Sequence, residues 1–149
     1  MRNAMKLSFS AVPENESLAR VAVSAFILPV NPTLEQMSDV KTAVSEAVTN
    51  CIIHGYPAGF GEVVLTAEID DDGILSIEVR DHGVGIANIS RAMQPFYSTD
   101  PAHERSGMGF TVMQSFMDRV DVESAPHVGT LVRMEKRFAV PQEQPARMA

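Results

Sequence analysis

Cysteine is nearly missing from this chain of 149 residues. Cys51 is the single one, so no internal disulfide can form, and a reducing, cytoplasmic setting is expected. Positive charge is scarce as well. Twelve Lys and Arg stand against nineteen Asp and Glu, a formal net charge of −7. That balance argues against the basic footprint of a nucleic-acid binder or of a protein drawn to anionic lipid. Long hydrophobic runs are lacking too. The longest uncharged apolar stretch, residues 21–34, is too short to cross a bilayer and contains Pro29 and Pro32. Residues 1–10 have no apolar run behind their basic side chains, so no signal peptide is expected. No Gly-Lys pair occurs anywhere, which excludes a P-loop.

What is present is an ordinary globular balance, 45% hydrophobic and 21% charged. It suits one domain over residues 1–140, followed by a polar, Pro-containing tail at 141–149 that is expected to fray. A protein or small-molecule partner fits such a chain best.

Residues 5–12 open with Leu7 and Phe9 alternating with Lys6 and Ser8, which predicts a strand. Residues 14–28 predict an amphipathic helix with Leu18, Val21, Ala22, Ala25 and Phe26 on its apolar face, stopped by Pro29. Thr33 with Gln36 three residues later reads as a capping box. It opens a long helix that runs to about His54 and ends at Gly55. Residues 62–70 and 74–80 alternate as two strands around Asp71-Asp72-Gly73, a hairpin signal. A helix over 109–117 and strands over 119–123 and 130–138 follow. Residues 91–107, with Pro95 and Pro101, have no sustained periodicity, and a loop of that length in a compact domain is functional or mobile. The layout is α+β: a two-layer sandwich whose mostly antiparallel, mixed sheet is covered on one face by helices.

Three stretches stand out chemically. Glu46 is the only charge between Thr42 and Ile53, in a helix that is apolar over much of its girth. Glu46, Asn50 and His54 fall at i, i+4 and i+8 and share one face. A carboxylate there either lines a cleft or belongs to a solvated stripe, and spacing alone leaves both open. Asp81-His82-Gly83-Val84-Gly85 directly follows a strand. Its glycines permit close backbone approaches, and its carboxylate can accept a hydrogen bond from a ligand amino group. An ordinary strand-ending loop is the alternative. Asn88 stands where a dinucleotide fingerprint needs its third glycine, so that pattern is absent. Arg105-Ser106-Gly107-Met108-Gly109 precedes a helix, where exposed amides bind anions, and Arg105 can reach a terminal phosphate with paired N–H donors. A plain glycine hinge is the alternative. His54, His82, His103, His127 and Cys51 show no zinc-site spacing, and Cys51 reads as a small buried apolar residue.

The order of these motifs is more specific than any one of them. Glu46-x3-Asn50 on a helix is followed by a hairpin, Asp81-x-Gly83-x-Gly85, a long loop, Gly107-x-Gly109 before a helix, and Gly129-Thr130 opening a strand. This order resembles the GHKL superfamily of gyrase, the ninety-kilodalton chaperone, histidine kinases and mismatch-repair proteins, whose ATP-binding core is the Bergerat fold. The resemblance covers about residues 5–138. Ser45-Glu46-Ala47-Val48-Thr49-Asn50, Ile53-His54-Gly55-Tyr56 and Arg105-Ser106-Gly107-Met108-Gly109-Phe110 are similar to the serine-kinase anti-sigma branch. A full sensor histidine kinase fits poorly, because the segment ahead of Thr33 is too short for a dimerisation helix pair.

The resemblance implies a set of roles. Asp81 would bind the adenine amino group, supported by Gly83, Gly85 and Thr130. Asn50 would give an oxygen ligand to Mg²⁺, with His54 nearby. Ser106, Gly107, Met108 and Gly109 would hold the phosphates of ATP or ADP. Residues 91–107 would form a lid carrying Arg105 to the γ-phosphate, and Glu46 would act as general base on a serine hydroxyl. The implied activity is that of an ATP-dependent protein serine kinase and anti-sigma factor. Its implied partners are a sporulation-type sigma factor, an anti-anti-sigma substrate and a second copy of the chain. Glu16 and Arg20, at i and i+4, are either a docking contact or a plain solvated ion pair. Two other functional readings stay open at this stage: a nucleotide-gated binding module without transfer, and a stress-response relative with another sigma partner.

Overall fold

The computed structural model describes residues 2–94 and 109–138. Alternation with a period of two sets the sheet. Strands β1 (Asn3–Ser10), β2 (Glu62–Ile69), β3 (Ile74–Asp81), β4 (Arg119–Ala125) and β5 (Gly129–Arg137) form one open sheet in the order β1-β2-β3-β5-β4. The sheet expected to be mostly antiparallel is antiparallel at every pairing among these strands. The turn predicted at Asp71-Asp72-Gly73 joins β2 to β3. The Asp70 carboxylate accepts from the amides of Asp72 and Ile74, which fixes the hairpin.

Because paired residues share a face, the register sorts the side chains. Leu65, Val79 and Val132 lie in one row, and Ala67, Ile77 and Met134 in the next, all buried. They form the core with the helices α1 (Asn15–Ile27), α2 (Leu34–Asn50) and α4 (Gly109–Phe116). The opposite face is polar. There Arg133 spans three strands, 3.0 Å from both Glu78 and Glu123. One dry face and one wet face make the two-layer sandwich.

Two helices differ in detail from the sequence reading. On α1 the buried line is Ala19, Val23 and Ile27, with Phe26 packed beside it. Leu18 and Val21, expected inside, are 46% and 62% exposed. This helix carries apolar residues on two sides, so a period of 3.6 does not by itself choose the inner one. Pro29 does stop it, within a short 3₁₀ turn. The capping box at the start of α2 forms as expected: Thr33 Oγ1 accepts from the Gln36 amide at 3.0 Å, and Gln36 Oε1 accepts from the Thr33 amide at 2.9 Å. The far end of α2 is different. The α-helix stops at Asn50 and continues as a π turn over Cys51–Gly55, closed by the Tyr56 amide on the Cys51 carbonyl at 3.1 Å. The wide turn absorbs a residue that an unbroken helix would have left out of register.

A third difference lies where residues 91–107 were expected to be irregular. The start of that segment belongs to a one-turn helix α3 (Ile89–Ala92), whose N-cap Asn88 accepts from the Arg91 amide. The remainder from residue 95, and the tail at 141–149, lie outside the described residues. Lys136 was read only as part of a strand. It faces the core at 8% exposure, donates to the Phe116 carbonyl at 2.6 Å and lies 3.6 Å from Asp39. It thus ties the end of α4 and the flank of α2 to β5. Among the described residues no helix is long and apolar enough to cross a membrane.

Candidate nucleotide site

Asp81 is the last residue of β3 and points to the helix side of the sheet, at 3% exposure. A charge this buried needs partners. Its Oδ1 accepts from the Gly83 amide at 2.9 Å. The Cys51 thiol, on the π turn, is hydrogen-bonded to the same carboxylate. Burial first, and then the Asp81 charge and hydrogen bond, push the Cys51 thiol well above its ordinary range. Gly55, one turn on from Cys51, leaves room for the carboxyl group, since a Cβ there would lie 2.8 Å from Asp81 Cγ. The π turn therefore places Cys51 and Gly55 together against Asp81.

The loop after Asp81 is seated on the same turn. The Val84 amide donates to the Gly55 carbonyl at 2.9 Å. A Cβ at position 83 would sit 1.8 Å from that carbonyl oxygen, so only glycine fits there. Gly85 has φ near 75°, and a Cβ on it would meet the Ala125 carbonyl oxygen at 2.0 Å. From the other side the β4–β5 turn holds the loop, with the His127 amide donating to Val84 O at 2.8 Å.

The register carries Thr130 into this corner. It pairs with Asp81 on one side and with Ser124 on the other, all three on the helix-facing side. The Ser124 and Thr130 hydroxyls are 2.8 Å apart, and Ser124 Oγ also accepts from the Ile86 amide at 2.7 Å. Asp81, Gly83, Gly85 and Thr130, singled out from two separate stretches of sequence, thus meet at one end of the sheet.

Glu46 and Asn50 meet the start of α4. A Cβ on Gly109 would lie 3.2 Å from Asn50 Nδ2 and 3.3 Å from Glu46 Oε2. The helix end, an amide donor and a carboxylate are so gathered in one place. Both side chains are half-buried, a position between the two readings left open by spacing. His54 lies on the π turn, past the point where the α-helical spacing shared by Glu46 and Asn50 ends. Glu16 and Arg20 pair at 3.5 Å on α1. Arg105, Ser106, Gly107 and Met108 lie outside the described residues.

Two residues of this corner escaped sequence reasoning. Ser124 became visible only through the β4–β5 register. Tyr56 follows the helix-ending glycine, and its side chain turns back so that its hydroxyl accepts from the His82 amide at 2.7 Å. Nothing in the local pattern signals a contact spanning 26 residues.

Comparison with known proteins agrees with this fold. Residues 9–136 match the family model described as histidine kinase-like ATPase domain. An anti-sigma F factor of Geobacillus thermodenitrificans is 53% identical over 139 residues, covering 93% of this chain and 95% of that protein. One of Clostridium acetobutylicum is 55% identical over 140 residues, covering 94% and 97%. Among solved structures, the RsbU and RsbW domains of Rv1364c from Mycobacterium tuberculosis superpose with a TM-score of 0.68 at 17% identity, covering 99% of this chain and 34% of that one. The catalytic domain of the histidine kinase ThkA gives a TM-score of 0.56 at 15% identity, covering 90% and 96%. With the Bergerat-type sandwich, the Asp81 corner and the Asn50–Gly109 contact in place, the chain belongs to the histidine kinase-like ATPase family and, within it, to the anti-sigma F factors.

Proposed function

We propose that the chain is an ATP-dependent protein serine kinase that also holds a sigma factor, and that it phosphorylates a serine of an anti-anti-sigma protein. The observation that carries this is the packing of Gly109 against both Asn50 and Glu46. It joins an anion-binding helix start, a neutral oxygen ligand and a base in one cleft.

In this reading Asp81 accepts from the adenine amino group, and Gly85 and Thr130 line the base. The first amides of α4 serve the phosphates, and Ser106, Gly107 and Met108, with Arg105 for the terminal phosphate, are assigned to the same task from their place in the sequence. Asn50 offers one amide oxygen to Mg²⁺. The donor set fits that ion, because it keeps phosphate and water ligands and needs few from the protein. Among the described residues no group of three His, Cys, Asp or Glu is placed to hold a metal by itself. Mg²⁺ supplies charge neutralisation on the phosphates when bound. Glu46 takes the proton from the serine hydroxyl at a carboxylate oxygen, a contribution of roughly 10²–10⁴-fold.

The partner side rests on α1. Leu18 and Val21 on α1 and Leu28 just past its end are exposed, and among the described residues β1 is an edge strand paired only with β2. This apolar face and edge strand support pairing with a second copy. The Glu16–Arg20 pair supports a polar contact with sigma and the antagonist. The test is mass spectrometry of the anti-anti-sigma protein after incubation with the chain and ATP·Mg²⁺. One phosphoryl group on a serine is expected, and an unmodified protein in the presence of saturated ATP binding contradicts the kinase.

A further inference from the structure

Tyr56 sits where the π turn, the start of β2 and the end of β3 converge. Its hydroxyl makes two hydrogen bonds in series. It donates to the Glu62 carbonyl at 2.7 Å and accepts from the His82 amide at 2.7 Å. Its ring lies against the core and covers Gly61, where a Cβ would come within 2.3 Å of it. The neighbouring Gly55 carbonyl accepts from the Val84 amide at 2.9 Å. Residues 55 and 56 thus grip the turn after Asp81 at two successive points. Between them Gly83 donates to Asp81 Oδ1.

We propose that Tyr56 is a positioning residue for base recognition: its hydroxyl fixes the His82–Val84 turn and thereby aims the Asp81 carboxylate. Three features argue for this over simple packing. The ring alone would fill the space over Gly61 without a polar atom. The hydroxyl instead satisfies the His82 amide, a main-chain donor directly after the carboxylate residue, and so ties down the first residue of the turn. The second bond, to Glu62, anchors the hydroxyl to the first residue of β2, a strand paired on both sides, so the turn is referenced to the sheet and not to another loop. The phenol is also pushed above its ordinary range, with burial the leading cause.

The inference rests on the reading that Asp81 binds the adenine amino group, and its test separates the two. Equilibrium dissociation constants are measured by calorimetry for ATP·Mg²⁺ and for purine riboside triphosphate, which lacks the amino group, on the full chain. The ratio of the two affinities reports reading of that group. In Asp81→Asn the ratio is expected to collapse. In Tyr56→Phe, which keeps the ring, the ratio is expected to fall about five-fold, as for one net hydrogen bond. Gly61→Ala, which pushes the ring while sparing the hydroxyl, is expected to lower it in the same direction. A ratio lost in Asp81→Asn but unchanged in Tyr56→Phe and Gly61→Ala overturns the positioning role alone. A ratio unchanged in Asp81→Asn overturns the base assignment and this inference with it.

Discussion

Single residues carry unequal weight in this fold, and two buried ones show it. Lys136 holds the Phe116 carbonyl and lies near Asp39 inside the core. Removing one member of such a set leaves the others short of a partner where solvent access is limited. Lys136→Ala is expected to lose about 2–4 kcal/mol of unfolding free energy in urea titration; a loss under about 0.5 kcal/mol would mark the contact as solvated. Cys51 gives a pH signature. Its thiol is held protonated above the ordinary value of 9.0, by burial first and then by Asp81. The folded state therefore keeps this proton where the unfolded chain releases it. Its contribution to stability is full below that value and is lost as pH rises through the higher folded one. Stability should decline steeply above pH 9 in the wild type, and less steeply in Cys51→Ala, when both are followed by thermal unfolding. Equal slopes in the two proteins would refute it.

At the level of elements, what was legible in the sequence was whatever a local rule determines. The Thr33–Gln36 box, the hairpin turn at Asp71-Asp72-Gly73 and the alternation of β2 and β3 each depend on neighbours a few residues apart, and each formed as read. The misread features depend on tertiary choice. The inner face of α1 depends on what packs on it, and the π turn comes with the placement of Gly55 against Asp81. Helix α3 escaped because one turn is too short to show a period. Gly83 is the test of the loop as an element. Gly83→Ala would drive a methyl into the Gly55 carbonyl, so it should weaken ATP affinity at least about ten-fold in calorimetry through displacement of the turn. Unchanged affinity would mean that the turn is not held as described.

For the whole molecule, the site was legible as a list of residues but not as a place. Asp81, Thr130 and Gly85 were named from their order along the chain, while the folded chain shows that they meet, and the contacts that Ser124 and Tyr56 make there became visible only in the folded chain. The exposed stripe on α1 belongs to this scale too. Leu18→Asp combined with Val21→Asp places charge on the apolar face without touching the buried line at Ala19, Val23 and Ile27. Light scattering should report a dimer for the wild type and a monomer for this variant; a monomeric wild type would remove the role proposed for that face.

The central claim is phosphoryl transfer assisted by Glu46. It is tested most directly by transfer from labelled ATP·Mg²⁺ to the anti-anti-sigma protein, wild type beside Glu46→Gln, with ATP affinity measured in parallel. The account predicts transfer by the wild type and a loss of roughly 10²–10⁴-fold in Glu46→Gln at unchanged ATP affinity. Equal transfer rates in the two proteins, or tight ATP binding with no transfer by either, would contradict it.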